Sequence, residues 1–292
     1  MNLSFKEDHI SQLPALMLLQ KLGYTYLSQE EALLLRGEKT TNVLLEPILR
    51  EQLRKINSIS LISGKIEPFS EQNIENGIEA MRNVPMQEGY ISGNEYIYNL
   101  LTLGKAMEQS IDGDKKSYTL NFIDWKNLHN NVFHVSEEFA VTRAGMNDTY
   151  RPDLVLFING IPLVVIECKR PDIKNSLSQA VSQQLRNQKE DGIRSLYVYS
   201  MLLLALSSNE ALYATTGTPE KFWSVWREQF VEDTEHKAYN AYLHELVNIP
   251  LRESEHEKLF ATRFKYVKRY FDEQAKNDMK ASQQDRYLVG LC

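Results

Sequence analysis

The segment RPDLVLFINGIPLVVIECKRPD, residues 151 to 172, constrains this chain more than any other. Asn and Gly both tolerate positive φ, so Asn159-Gly160 between two apolar runs is a hairpin turn. Asp153 then lies on one arm, with Glu167 and Lys169 on the other. Glu167 and Lys169 are two apart, and the alternation of a strand places them on one face, with Ile166 and Cys168 on the opposite face. A two-residue loop would set Asp153 against Ile166 and turn it away from Glu167. A common face for the two acids therefore requires a three-residue loop or a one-residue bulge.

Three ionisable groups at the ends of Val/Leu/Ile strands are costly to bury unless they pair with one another or with a metal. Two carboxylates and a lysine converging on one point are what metal-dependent phosphodiester hydrolysis requires. The carboxylates hold Mg²⁺, and the ammonium orients or activates water and stabilises negative charge that develops on the phosphorane. The bland alternative is an Asp before a strand and a Glu-Lys pair at a strand end.

Composition narrows the class. With 292 residues, 42% hydrophobic and 25% charged, the chain has a core without help from disulfides. Its two cysteines, Cys168 in an apolar run and Cys292 at the last position, build no disulfide framework and no zinc site, and read as reduced cytoplasm. The longest apolar stretch, Met201 to Leu206, is far below the roughly 18 residues of a membrane span, which again predicts a cytoplasmic protein. A net charge of -6 excludes a chain that grips nucleic acid over its whole surface, so DNA contact is expected to be local. No phosphate loop or dinucleotide fingerprint occurs.

Hydrophobic periodicity divides the chain into a helical N-terminal region (1–90), a core (91–230) and a helical C-terminal extension (231–292). Helical faces are predicted around Ile10 to Met17, from Val43 to Ile56 with Pro47 near the start, from Ser70 as cap through Met81, and from Asn94 as cap to Gly104. Strands are expected within Tyr118 to Asp124, Val132 to Thr142, Asp153 to Ile158 and Leu163 to Ile166. A helix over 176–190 and a hairpin of Met201–Ser207 with Ala211–Thr215 follow. Beyond Gly217-Thr218-Pro219, Trp223 and Trp226 read as helix-borne anchors, and Leu259, Phe260, Phe264, Val267 and Phe271 as one face of a single helix reaching about Lys276.

The helix, three strands, helix, strand order gives the αβββαβ core of the PD-(D/E)XK nucleases, an α/β fold with a mixed central sheet flanked by helices. The whole chain resembles the N-terminal part of the restriction (R) subunit of type I restriction-modification enzymes. The resemblance is carried by LGYTYLSQEEALLLRGEKTTNVLLEPILREQLRKIN, GYISGNEYIYNLLTLG, FIDWKNLHNNVFHVSEEFAV, the 151 to 172 block and EALYATTGTPEKFWSVW, and covers about residues 20 to 230. It implies a Mg²⁺-dependent endonuclease acting on double-stranded DNA, with Asp153, Glu167 and the Cys168 backbone carbonyl as metal ligands and Lys169 as catalytic lysine. It also implies modification (methyltransferase) and specificity subunits as partners, and an ATP-driven motor following the nuclease. The motor being absent here, the chain is expected to be a fragment, a truncated product or a split subunit. The rival readings are a non-catalytic coupling module of the same complex and a free-standing repair nuclease.

The same family carries a QxxxY pair on the helix after the lysine strand. Here Gln183 fits and Asn187 stands where the tyrosine would be. Spacing of four keeps both on one helical face, although Ser182, Gln184 and Gln188 could equally form a solvated polar face. Glu95 is either a third metal-binding acid or a first-turn glutamate favoured by the helix dipole, and Glu46 shares that ambiguity. Arg143, Arg170, Lys174 and Arg186 are candidates for a phosphate-binding rim or ordinary surface charges. His129 and His134 lack a third ligand and read as loop or core residues.

Overall fold

A computed structural model describes residues 11–170, 175–227, 230, 232–261 and 263–292. Its centre is a seven-stranded mixed sheet whose spatial order follows the chain: β1 (Thr25–Leu27), β2 (Phe133–Glu137), β3 (Leu154–Ile158), β4 (Ile161–Lys169), β5 (Leu202–Ser207), β6 (Ala211–Ala214) and β7 (Ser224–Val225). The β1–β2 and β4–β5 pairs are parallel and the others antiparallel. A parallel pair needs a crossover, supplied between β4 and β5 by α6 (Ser176–Asn187) and the short α7 (Arg194–Tyr197).

The β3–β4 connection is the Asn159-Gly160 turn expected, closed as a two-residue loop. Ile158 pairs with Ile161, and Asn159 and Gly160 have φ of 52° and 82°. Gly160 is required twice over, because a Cβ there would also lie 2.6 Å from the Leu45 carbonyl oxygen. Below the turn the register shifts between Pro162 and Val164, leaving Leu163 as the extra residue of a bulge. Pairing then resumes as Val164 with Leu156, Val165 with Val155 and Ile166 with Leu154.

The sheet is buried on both faces. Val155, Phe157, Val165, Leu203 and Ala205 share a core with α2 (Gln29–Leu34), α3 (Glu46–Ile56), α4 (Glu71–Arg82), α5 (Tyr90–Leu103), α6 and α7. Leu154, Leu156, Ile166, Cys168, Leu204 and Leu206 pack under α1 (Leu13–Lys21), α8 (Asp233–Asn248), α9 (Glu253–Phe260), α10 (Lys268–Gln274) and α11 (Gln283–Leu291). Such two-sided burial explains why β3, β4 and β5 read as nearly continuous apolar runs. Pro47 in the first turn of α3 and the Ser70 side chain accepting from Asn73 N–H at α4 match the expected helix starts.

Several expectations are corrected. Asn94 does not cap a helix: α5 begins at Tyr90, and the Asn94 amide donates to the carbonyls of Tyr197, Val198 and Ser200. The strand expected over 118–124 ends at Leu120 and pairs with Lys105–Ile111 in a separate hairpin, where alternating polar residues face water. The run from Val132 to Thr142 is broken after Glu137 by Glu138 at φ 47°, and Val141–Thr142 pairs with Thr149–Tyr150 instead. Trp223 and Trp226 are not on a helix; the intervening Ser224–Val225 pairs with β6, and an extended chain still places both rings against apolar neighbours. The apolar face from Leu259 to Phe271 is buried, but α9 and α10 are separated by a 3₁₀ turn at Lys265–Val267. Burial selects which residues face the sheet and leaves helix continuity free. Strand β1, within residues 1–90, extends the sheet beside β2. Among the described residues no helix is long and apolar enough to cross a membrane.

Candidate functional site

The bulge at Leu163 decides the geometry of the site. After it, Asp153 stands one step beyond the Leu154–Ile166 pair and therefore level with Glu167, on the face covered by α6. The Asp153 carboxylate accepts the Cys168 backbone N–H at 2.6 Å, which ties one arm to the other. Lys169 Nζ lies 3.8 Å from the same Asp153 Oδ2 and donates to the Cys168 carbonyl at 3.0 Å. The structure thus brings Asp153, Glu167 and Lys169 together, with the Cys168 carbonyl beside them.

Glu167 is fully buried. Burial first, then the negative charge of Asp153, pushes its pKa well above the usual carboxylate range, with Lys169 acting in the opposite direction. Two side chains of α6 hold the carboxylate. Gln183 Nε2 donates to Oε2 at 2.6 Å, and Asn187 Nδ2 reaches Oε1 at 3.4 Å. Gln183 and Asn187 are one turn apart, so a single helical face grips both oxygens.

Gln184 and Gln188 are buried and not part of a solvated face. Gln184 Nε2 donates to the carbonyls of Val165 and Leu204, bridging β4 and β5, while its Oε1 accepts the Tyr197 hydroxyl at 2.6 Å. Their position among Val181 and Leu185 was the available sign that these amides point inward. Outside, a cleft of about 500 Å³ opens over the site, lined by Lys169, Gln183, Arg186 and the polar residues Asn175, Ser178, Gln179 and Ser182.

Other candidates, apart from Arg186 in the cleft lining, are dispersed. Glu95 is exposed on α5, and its neighbour Asn94 is anchored at the start of β5, the end opposite Lys169. Glu46 pairs with Arg82 at the start of α3. Arg143 is engaged by Asp148 and Asp191 and stacks, as does Arg186, on the Tyr150 ring. Arg170 is partly exposed directly after β4, and Lys174 lies outside the described residues. His129 is exposed, whereas His134 is half-buried in β2 with its pKa lowered to about 4 by burial and by Lys258.

The donor set suits a hard divalent cation. Two carboxylates and a backbone carbonyl are oxygen ligands, and Mg²⁺ commonly takes one or two carboxylates and completes its shell with water and phosphate. A buried glutamate raised in pKa beside a second carboxylate is also relieved by a cation as well as by a proton. Among the described residues no group of three or more His, Cys, Asp or Glu side chains offers a richer metal cage.

Residues 4–222 match the family model described as the type I restriction enzyme R protein N terminus. A Methanocaldococcus jannaschii protein named for the type I restriction enzyme MjaVIIIP endonuclease subunit is 34% identical over 206 residues, 70% of this chain and 18% of the relative. A second from that organism, named for the MjaIXP endonuclease subunit, is 28% identical over 225 residues, 75% of this chain and 20% of the relative. The type I restriction enzyme HindI endonuclease subunit of Haemophilus influenzae is 25% identical over 241 residues, 81% of this chain and 21% of the relative. The chain spans about a fifth of the length of these curated relatives.

Proposed function

Since the chain belongs to the family of type I restriction enzyme R protein N termini, we propose that Asp153, Glu167 and Lys169 form the Mg²⁺-dependent phosphodiesterase centre of a type I restriction endonuclease subunit. The substrate is double-stranded DNA, met in the cytoplasm. The observation that carries this reading is the convergence of two acids and a lysine across the one-residue register shift in β4. Helix α5, strands β2 to β4, helix α6 and strand β5 follow in the order of a PD-(D/E)XK core.

Asp153, Glu167 and the Cys168 carbonyl would hold Mg²⁺. Bound there, the ion supplies charge neutralisation at phosphate and a more acidic water. Gln183 and Asn187 keep the Glu167 carboxylate in one orientation. Asp153 is fixed from the other side by the Cys168 N–H. The Lys169 ammonium, on the floor of the open cleft, orients the attacking water and stabilises negative charge developing on the phosphate oxygens. Modification and specificity subunits direct the DNA to this centre, and ATP serves only the motor of the assembled enzyme.

Plasmid cleavage tests the reading, with the protein assayed alone and with modification and specificity subunits, in Mg²⁺ and in EDTA. Cleavage is expected only in Mg²⁺ and is expected to be lost in Asp153→Asn. An Asp153→Asn protein cutting at the parental rate would overturn the assignment.

A further inference from the structure

We propose that Arg263 is a positioning residue for Asp153, coupling the C-terminal helices to the metal site. The proposal rests on the reading of Asp153 as a metal ligand. Arg263 follows α9 and lies outside the segment 4–222 that defines the family. Its guanidinium pairs with Glu137, which is 2% exposed, and reaches Glu138 Oε1 and Gln12 Oε1, each at 3.3 Å. Glu137 also accepts the Tyr26 hydroxyl.

Gln12 and Glu138 both hold the Asp153 backbone carbonyl. Gln12 Nε2 donates to the Asp153 carbonyl at 2.8 Å, and the Glu138 N–H donates to the same oxygen at 3.0 Å. Arg263 governs both. An amide has one donor end and one acceptor end, so a guanidinium facing Oε1 obliges Nε2 to face Asp153; the flipped amide would set donor against donor and acceptor against acceptor. Glu138 has φ 47°, a conformation that a non-glycine residue keeps only when its surroundings hold it, and its side chain is held by Arg263. Removing the guanidinium frees the Gln12 amide to turn and loosens residue 138. The Asp153 carbonyl then loses fixed donors at one end, while the carboxylate at the other end must keep its place beside Glu167.

Arg263→Met alone leaves Glu137 buried without its counter-charge and endangers folding. The test therefore uses Arg263→Met with Glu137→Gln, and separately Gln12→Met. Mn²⁺ affinity is measured by calorimetry, together with thermal melting in EDTA. Each variant is expected to weaken Mn²⁺ binding roughly ten-fold, the size of effect seen when groups behind a metal ligand are removed. The two combined should weaken it little further, because they act through one route. Parental Mn²⁺ affinity in both variants, or a drop in melting temperature with affinity unchanged, would overturn the proposal. Asp153→Asn separates the two levels: should it also bind Mn²⁺ as the parent does, the metal-site reading itself fails.

Discussion

Asp153 stands level with Glu167, one step past the Leu154–Ile166 pair, and both carboxylates face α6. Without the register shift at Leu163 the two would point to opposite sides of the sheet. The closeness of these acids has consequences for stability as well as for chemistry.

Glu167→Gln should stabilise the metal-free protein near pH 8. The raised pKa of Glu167 means that the folded state retains a proton which the unfolded state releases. Its stabilising effect is complete below the unfolded value and is lost as pH rises through the folded value. In EDTA the variant is expected to melt above the parent at pH 8, with the gap closing towards pH 4.5. Parallel melts with no gap at any pH would contradict the buried like-charge pair.

Lys169→Ala should separate binding from turnover. The ammonium touches the Cys168 carbonyl and stands near Asp153, but it is not a metal ligand. Mn²⁺ affinity should stay within a few-fold, and cleavage should fall roughly 100- to 1,000-fold, as when one donor to developing charge is removed. Cleavage at the parental rate would take the lysine out of the mechanism.

Gln183→Ala and Asn187→Ala should differ in degree. The Gln183 bond to Glu167 is 2.6 Å and that of Asn187 is 3.4 Å. The first variant is expected to raise the Mg²⁺ concentration for half-maximal cleavage roughly ten-fold and the second by less. A titration of cleavage against Mg²⁺ gives both values, and the reverse ranking would count against the geometry.

Gly160→Ala should destabilise the fold by roughly 2 to 5 kcal/mol, combining a strained positive φ with a forced contact on the Leu45 carbonyl. Urea unfolding measures it. A change below about 0.5 kcal/mol, typical of unconstrained surface sites, would mean that the turn is free to relax.

His134 should make the protein acid-sensitive. Its folded pKa of about 4 lies below the ordinary histidine value, so between about pH 6.5 and 4 the unfolded chain takes up a proton that the folded chain refuses. Stability therefore falls as pH drops through that window. His134→Phe is expected to flatten the fall, measurable by urea unfolding at pH 7 and pH 5.

Much of this was readable from local chemistry. Asn159-Gly160 announced the turn, Ser70 its helix, and strand alternation the shared face of Glu167 and Lys169. The need for an inserted residue was also readable, but not its location, because Pro162, Leu163 and Val164 are all apolar and nothing in their order singles one out. The short strand β1 and the Gln12–Arg263 contact were not legible, since they join segments 109 and 251 positions apart only after the sheet has formed. For Trp223 and Trp226, a spacing of three suited a helix equally well, and pairing with β6 decided otherwise.

The insertion at Leu163 also makes the carboxylate pair a matter of reading one codon. An in-frame gain of three nucleotides there, with the Asn159-Gly160 turn and a single bulge kept, would shift the rest of β4 by one place and turn Glu167 away from Asp153, though neither acid would be altered. Such a lineage would retain every recognisable motif residue and lack their arrangement. In comparing descendants of this gene, the number of residues between Asn159 and Glu167 therefore carries more information than the identity of the residues counted.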